Sequence, residues 1–427
     1  MKRGEQGDAT GRPATSSRSP LAPAPLGLAR SASLPSAIVN APGHHPTIFA
    51  KRVKRIDPGI KPGDAVAVYH EDGGLLGYAL ANPKAEIRLR MICGPNDFPD
   101  DDYWDRRLRS ATALRRETLR LNAVADCYRL LHADADGFGG LAVDRYGDVL
   151  VAETFSLGMH RRATAILERL APLTETKHWA IRPAPNTLGT EGYAFPAATS
   201  GELPDHVDVQ EHGTRYRVPL AGGHKTGFFC DQRENRKRLA ELCEGRSVLD
   251  LCCYTGGFSV QAKRLGNAGE TVGVDLDAEP LELARTNARL NRIGVKYVQA
   301  DAFGYLRDLA ANKRQFDVVV LDPPKLIRSR MELEEGTRKH FDLNRLAFSV
   351  VKPGGVLLTC TCAGLLPEED FLRTVHSAAR RAVRFEWQGA PGREYRIMAV
   401  TGAGADHPTS PRCPETRYLK AAWLCVD

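Results

Sequence analysis

No two of the ten cysteines in this 427-residue chain are spaced C-x-x-C, which argues against a zinc ribbon or a thioredoxin-like motif. Cys93, Cys127, Cys230, Cys243, Cys252, Cys253, Cys360, Cys362, Cys413 and Cys425 lie inside apolar segments rather than at disulfide-scaffold spacing. Reduced thiols and a cytoplasmic location are therefore expected, with no metal centre and no metal partner. No apolar run reaches the ~18 residues needed to span a bilayer, so no membrane partner is expected. There is no G-x-G-x-x-G, which leaves a pyrophosphate seat without support. The first 35 residues lack the continuous apolar stretch of a secretory signal. They are rich in Ser, Pro, Ala and Arg, with only Glu5 and Asp8 acidic, and read as a disordered basic tail over 1–35. The rest is of ordinary soluble composition, 42% hydrophobic and 26% charged, and the net charge of +7 leaves room for an acidic partner. The length suggests roughly two to three domains.

Residues 36–98 read as a small β-rich module. Ala65–Tyr69 and Leu75–Leu80 are strand-like runs around Gly73-Gly74, and Ile87–Ile92 alternates apolar and basic residues. Lys51, Arg52, Lys54 and Arg55 lie beside it, either as a solvated edge or as a phosphate-contacting surface. Residues 103–215 read as a middle α/β domain. It opens on a helix with Trp104, Leu108, Ala111 and Leu114/Arg115 on one face and Arg106, Arg107, Arg109 and Arg116 on much of the rest. The candidate phosphate-contacting surface combines Lys51, Arg52, Lys54 and Arg55 with this helix. Residues 216–427 alternate strand and helix as a doubly wound sheet does, with strands expected over 247–253, 271–276, 296–300, 316–321, 355–361, 383–387 and 418–426. The clearest helix is 279–293, with Asp277 as cap and Leu281, Ala284 and Ala288 on one face.

The first strand of that sheet carries Asp250 and ends at a loop, Tyr254-Thr255-Gly256-Gly257-Phe258, whose glycines let backbone approach a ligand closely. Asp275 ends the next strand, roughly 20 residues on, where an acidic side chain can bind ribose hydroxyls. Asp301 and Asp322 end a third and a fourth. Such a row of carboxylates suits a cationic, adenosine-bearing cofactor such as S-adenosylmethionine better than a polyanionic dinucleotide. Each Asp taken singly is also a plausible helix cap. Downstream, Leu357–Gly364 places Cys360 and Cys362 at the end of an apolar run, after Asp322-Pro323-Pro324. A buried structural cysteine is the commoner fate of such a residue; beside a cofactor loop and a strand-end Asp-Pro-Pro, covalent catalysis becomes the stronger reading.

Gly223–Arg233 (GHKTGFFCDQR), Asp250 with Tyr254–Phe258, Asp322-Pro323-Pro324-Lys325 and Thr361-Cys362-Ala363-Gly364 together resemble the bacterial large-subunit ribosomal RNA (cytosine-5) methyltransferase family, over roughly residues 36–427. His45-Pro46-Thr47-Ile48-Phe49 resembles that family's N-terminal PUA module, and Leu131–Gly137 with Val143–Gly147 its middle domain. The chain departs from the family pattern at Thr47, Cys360, Thr361 and Ala363. The resemblance implies a Rossmann-like class I methyltransferase domain preceded by a PUA-like β-barrel and the middle domain. It also implies S-adenosylmethionine as cofactor, ribosomal RNA as partner, and a homodimer in at least some members. It makes Cys362 the nucleophile, with Asp322 on the base edge. Lys225, Thr226 and Gly227 would help Asp250, Tyr254, Thr255, Gly256, Gly257, Asp275 and Asp301 form the cofactor pocket, and Lys325 would contact phosphate or remain solvated. Phe228 and Phe229 are candidates to stack on adenine or base, and Cys360 is a weak candidate for the base that removes the carbon 5 proton. The same fold could instead serve methylation at a nitrogen, which needs no cysteine, or non-catalytic RNA binding.

Overall fold

The computed structural model describes residues 19, 21–31, 33–40, 43–220, 227–383 and 392–427. The alternating runs near the N-terminus pair as expected: Asp64–His70 lies antiparallel to Leu75–Ala81, which pairs with Ile87–Cys93. Thr47–Phe49, Ser36–Val39 and Val53–Ile56 complete a six-stranded sheet. It closes on a small core that includes Val39, Val66, Val68, Ala79 and Leu89. Residues 21–31, placed in the tail by the sequence reading, are instead laid against the middle domain. Ala24 N–H donates to the Arg161 carbonyl (2.8 Å), Leu28 N–H to that of Pro99 (2.9 Å), and Leu26 is buried. Two apolar side chains and free backbone amides are reason enough for this short extended stretch to dock.

The middle domain starts with the helix Asp101–Ala113, whose N-cap Asp100 accepts from Tyr103 N–H. Tyr103, Trp104, Leu108 and Ala111 are its buried face. A π-helical turn, Leu114–Thr118, follows and turns Arg115 fully inward, where two bonds of 2.8 Å join it to the Asp136 carboxylate. Arg115 thus lies on the buried side with Trp104, Leu108 and Ala111, as the helical spacing has it, while Arg106 and Arg109 are exposed. Arg116 pairs with Glu175 at 2.7 Å, Arg106 with Asp97 at 3.6 Å, and Arg107 donates to the Asp136 carbonyl. Five strands form this domain's sheet, from Cys127–His132 through Leu141–Tyr146, Val149–Thr154 and His178–Pro183 to Ala198–Thr199. The hairpin His206–Glu211 with Thr214–Pro219 follows, so a limit at 215/216 cuts a paired strand.

The C-terminal sheet has seven strands in the order Lys296–Gln299, Thr271–Asp275, Val248–Leu251, Phe316–Leu321, Val351–Thr361, Lys420–Val426, Tyr395–Thr401. The first five are parallel, as a doubly wound α/β sheet requires, and Lys420–Val426 runs antiparallel to both neighbours. The apolar run Val318–Leu321 is buried on both faces, its residues shared alternately between two clusters. The sequence reading missed Tyr395–Thr401, an edge strand with Arg396, Ile397 and Met398 exposed, and most of the strand expected over 383–387 lies outside the described residues. The helix expected over 279–293 is Ala278–Leu290, and Asp277 makes no side-chain cap. No helix among the described residues is long and apolar enough to cross a membrane.

Candidate active site

Parallel pairing brings the carboxyl ends of four strands into one row, and the acidic residues converge there. Cys252, the first residue past Val248–Leu251, reports this. Burial pushes its thiol far above the ordinary range, and the charges of Asp275, Asp322, Asp250 and Asp301 push it the same way. Asp250 is buried, accepts Ser259 N–H at Oδ2 (2.9 Å), and leaves Oδ1 without a hydrogen-bond partner. Its carboxyl is pushed up to about 7, first by burial and then, against the Ser259 bonds, by Asp322 and Asp275. The Asp275 carboxylate is aimed by two amides, Tyr254 N–H at Oδ2 (2.8 Å) and Asp277 N–H at Oδ1 (3.1 Å). Asp301 caps the helix Ala302–Ala311 through Gly304 N–H (2.9 Å), so its role as a cap and its place in the acidic row coexist.

The loop between Asp250 and Asp275 turns by three left-handed residues, Cys252 (φ 57°), Tyr254 (φ 49°) and Gly256 (φ 77°). Non-glycine residues in this region cost of order 1 kcal/mol each and cluster at ligand sites. The glycines serve differently from the expectation. A Cβ at Gly256 would run into the Tyr297 hydroxyl, and one at Gly257 would press on Arg236 at 3.3 Å, so protein groups occupy that close approach. Thr255 is buried and its carbonyl accepts from Asn287 Nδ2 (2.9 Å). Gly223, His224, Lys225 and Thr226 lie outside the described residues. Gly227 (φ 120°) is packed on Val218, and its carbonyl is reached by the Tyr254 hydroxyl at 3.5 Å. The adjacent aromatics divide: Phe228 is buried against Tyr216 beneath the Arg236 guanidinium, whereas Phe229 meets the Tyr254 ring edge-on at 5.1 Å. Only Phe229 stays beside the loop.

Cys362 lies one residue beyond Val351–Thr361 and is half-buried. Asp322 follows the neighbouring strand, in which Leu321 pairs with Thr359, so Asp322 stands level with Cys360. Gln232 Nε2 holds Asp322 Oδ2 at 3.0 Å. Gln232 belongs to the Gly223–Arg233 run, where local sequence gives it no role of its own. Cys360 is fully buried, and burial with the charges of Asp322 and Cys362 keeps its thiol well above the ordinary range. Its enclosure with Val318, Val320, Leu358 and Trp423 is that of a packed core residue. Near Cys362 stands Lys420, which the sequence reading did not single out. Thr361 pairs with Lys420 across the antiparallel ladder. The Lys420 ammonium donates to the Ala363 and Leu366 carbonyls at 2.7 and 2.8 Å. Burial lowers its proton affinity, and the nearby Cys362 opposes that. Lys325 is exposed, close enough to Lys420 to bear on it electrostatically.

Of the basic residues assigned to RNA, Lys51, Arg52, Lys54 and Arg55 are all exposed along 51–55. Lys54 pairs with Glu71, and Arg55 stands 3.7 Å from Asp57.

The acidic cup yields a stability prediction. Asp250 has its folded-state proton affinity raised, so the folded chain gains stability below pH 7 and loses it as pH rises from about 4 through 7. At about 1.4 kcal/mol per tenfold change in proton affinity, Asp250→Asn should stabilise the ligand-free protein at pH 8 by roughly 2–4 kcal/mol. The gain should vanish at pH 4. Thermal denaturation at both values checks this; an equal shift at both would mean that packing, not charge, is responsible.

A family model described as S-adenosylmethionine-dependent methyltransferase matches residues 134–388, and one described as PUA-like domain matches residues 37–93. The ribosomal RNA large subunit methyltransferase I of Aeromonas hydrophila is 36% identical over 388 residues, covering 88% of this chain and 94% of that protein. The protein of the same name from Photobacterium profundum is 34% identical over 388 residues, with the same coverage. Among solved structures, a methyltransferase complexed with SAH superposes with a TM-score of 0.75 at 20% identity, covering 91% of this chain and 99% of that one. A SAM-dependent methyltransferase from Streptococcus mutans gives 0.73 at 19% identity with the same coverage. At that identity the structural likeness establishes the fold.

Proposed function

The chain belongs to the S-adenosylmethionine-dependent methyltransferases and, within them, to the bacterial large-subunit ribosomal RNA methyltransferases; from this premise we propose that it methylates carbon 5 of a cytosine in large-subunit ribosomal RNA through a covalent adduct on Cys362. A ribosomal RNA substrate makes the cytoplasm its place of action.

The residues fit the cofactor. A buried carboxylate with one unpartnered oxygen, a second aimed by two amides, and a row of negative charge suit a cationic sulfonium bearing ribose hydroxyls. Asp275 would take the ribose, Asp301 the adenine side, and Asp250 and the 254–257 loop the amino-acid end. Bound there, S-adenosylmethionine supplies an electrophilic methyl group.

The observation that carries the reading is the placement of Cys362 between Lys420 and the level of Asp322, at the edge where the carboxylates converge. A cation beside a thiol favours the thiolate. Addition of that thiolate to carbon 6 of cytosine makes carbon 5 nucleophilic enough to be methylated, a step that is otherwise difficult. Loss of the carbon 5 proton then breaks the C–S bond, restores the ring double bond and returns the thiolate. Asp322, steadied by Gln232, hydrogen-bonds the exocyclic amino group and stabilises charge that develops on the ring. Methylation at a nitrogen would use none of this, so Cys362→Ala distinguishes the two chemistries.

The ring must leave its stack for the thiolate to reach it, so single-stranded or remodelled RNA is the expected substrate. Binding should weaken with salt, and Lys51→Glu with Arg52→Glu should lower affinity and flatten the salt dependence by about one for each phosphate no longer neutralised. Filter binding across salt tests this; affinity that is flat in wild type would place the RNA surface elsewhere.

A further inference from the structure

The turn that carries Cys362 is held from two sides. Thr361 Oγ1 accepts Ala363 N–H at 3.2 Å, which closes a side-chain turn over Cys362 and limits its φ and ψ. Lys420 holds the far end of that turn through the Ala363 carbonyl, at 2.7 Å. The near end is held by His340, whose Nε2 lies 3.1 Å from Thr361 Oγ1. His340, Thr361 and Ala363 are all buried. We propose that His340 is a positioning residue: through Thr361 it fixes the turn that keeps the Cys362 thiol beside Lys420.

His340 lies on the helix Leu333–Ser349. One turn earlier, Gly336 comes so close to the chain that follows Asp322-Pro323-Pro324 that a Cβ there would stand 2.6 Å from the Leu326 carbonyl oxygen. That close approach seats the helix at the rim of the site. Phe371 meets the imidazole edge-on with centroids 5.8 Å apart, so packing fixes the ring plane. The proton remains to be placed. Burial, and behind it the charge of Lys420, lower the proton affinity of the ring to about 4, so at neutral pH it carries one proton. Nδ1 has no hydrogen-bond partner among the described residues. A buried N–H left unpaired costs more than a bare ring lone pair, which assigns the proton to Nε2. Nε2–H therefore donates to Thr361 Oγ1, and the hydroxyl oxygen accepts from both the imidazole and Ala363 N–H.

Thr361 pairs with Lys420 across the ladder, so the helix and the neighbouring strand grip one short arc of backbone. Without His340 the Thr361 hydroxyl is free to rotate, and the thiol is no longer held at one distance from the cation. A misplacement of about 1 Å at a reacting group can cost about a hundredfold in rate. The catalytic part of this role rests on Cys362 as the attacking thiol; the effect on the thiol itself does not.

Alkylation of the folded, full-length chain by iodoacetamide at pH 7, read at Cys362 by peptide mass spectrometry, reports on the thiol without RNA, cofactor or turnover. His340→Ala should slow it by about threefold or more, because a thiol that drifts from Lys420 forms less thiolate. His340→Gln keeps a donor near the place of Nε2 and should restore the wild-type rate. His340→Asn is as polar but falls short of Thr361, and should not. Thr361→Val removes only the hydroxyl and should give the same loss, whether or not His340→Ala folds. Adding His340→Ala to it should cost nothing further, because the two side chains act through one bond. Methyl transfer should follow the same order, with kcat in His340→Ala lower by about tenfold or more and the KM for S-adenosylmethionine unchanged. A residue that only fills the core would lower the melting temperature and leave alkylation and kcat at wild-type values. That result, failure of Gln to restore them, or losses that multiply in the double variant would overturn the proposal. If Cys362→Ala stays active while alkylation still follows His340, the covalent chemistry falls and the positioning stands.

Discussion

Cys362→Ala should abolish transfer of labelled methyl groups to unmodified large-subunit ribosomal RNA, lowering the rate by about four to six orders of magnitude. The thiol is half-buried one residue past the end of a strand, so its truncation disturbs little of the core and should leave the melting temperature near that of wild type. Affinity for S-adenosylmethionine should also persist, because the carboxylates and amides of the cup are untouched. The wild-type label should be recovered as 5-methylcytosine. The result would separate three chemistries. Transfer to a ring or exocyclic nitrogen needs no thiol and would survive the substitution. A protein that binds RNA without catalysis would give no label even in wild type. A mutant that keeps full activity would make Cys362 a packing residue and sink the covalent mechanism, while leaving the fold and the cofactor cup as described. Cys360→Ala is the natural control: it should preserve the product and lower stability, because Cys360 is fully enclosed among Val318, Val320, Leu358 and Trp423.

Asp406→Ala should destabilise the protein by about 3–5 kcal/mol, the range seen when one partner of a buried ion pair is removed. Asp406 and Arg233 are both fully buried, with their charged groups paired at 2.9 and 3.2 Å. The same carboxylate accepts Arg129 N–H from the middle domain (2.8 Å) and meets His407 Nδ1 (3.1 Å), while its own carbonyl accepts from Arg115 (2.7 Å). The truncation leaves the Arg233 guanidinium with only the partly exposed Glu234 beside it and strips a backbone amide in the adjoining domain of its acceptor. The pH dependence has a definite sign. Burial alone would raise the Asp406 carboxyl, but His407 and Arg233, through charge and hydrogen bonds, hold it far below the usual carboxylate range. Its contribution is therefore complete above about pH 4 and is lost as pH falls towards the folded value. Thermal scans of wild type and mutant should differ most at pH 7 and converge below pH 4. A gap that stays constant through acid would point to poorer packing instead of a broken ion pair.

These two sites also show what could be read from local sequence. Asp250, Asp275, Asp301 and Asp322 were legible because each lies at or just past the carboxyl end of a strand, and parallel strands with helical crossovers put those ends on one edge. Cys362 was legible for the same reason: it terminates Val351–Thr361 two residues past the level of Asp322. Arg115 was legible on the apolar face at helical spacing, but its partner, the Asp136 carboxylate, sits on another element and was not. Gly256 was read as room for a ligand, whereas Tyr297, on a different strand, is what requires the missing Cβ.

The sequence by itself determined the alternation of strand and helix, the acidic loop ends and, through the family resemblance of a short motif, the candidate nucleophile, since period and motif are properties of neighbouring residues. Only the tertiary structure decided what stands beside them. Lys420 reaches Cys362 because an antiparallel strand inserts at that edge in one register, and a slip of a single residue would turn its side chain to the other face. Asp406 meets Arg115, Arg129 and Arg233, and His45 meets Glu415, because three domains pack together. Such meetings depend on the sum of many apolar interactions over long separations, and no local period in the chain records them.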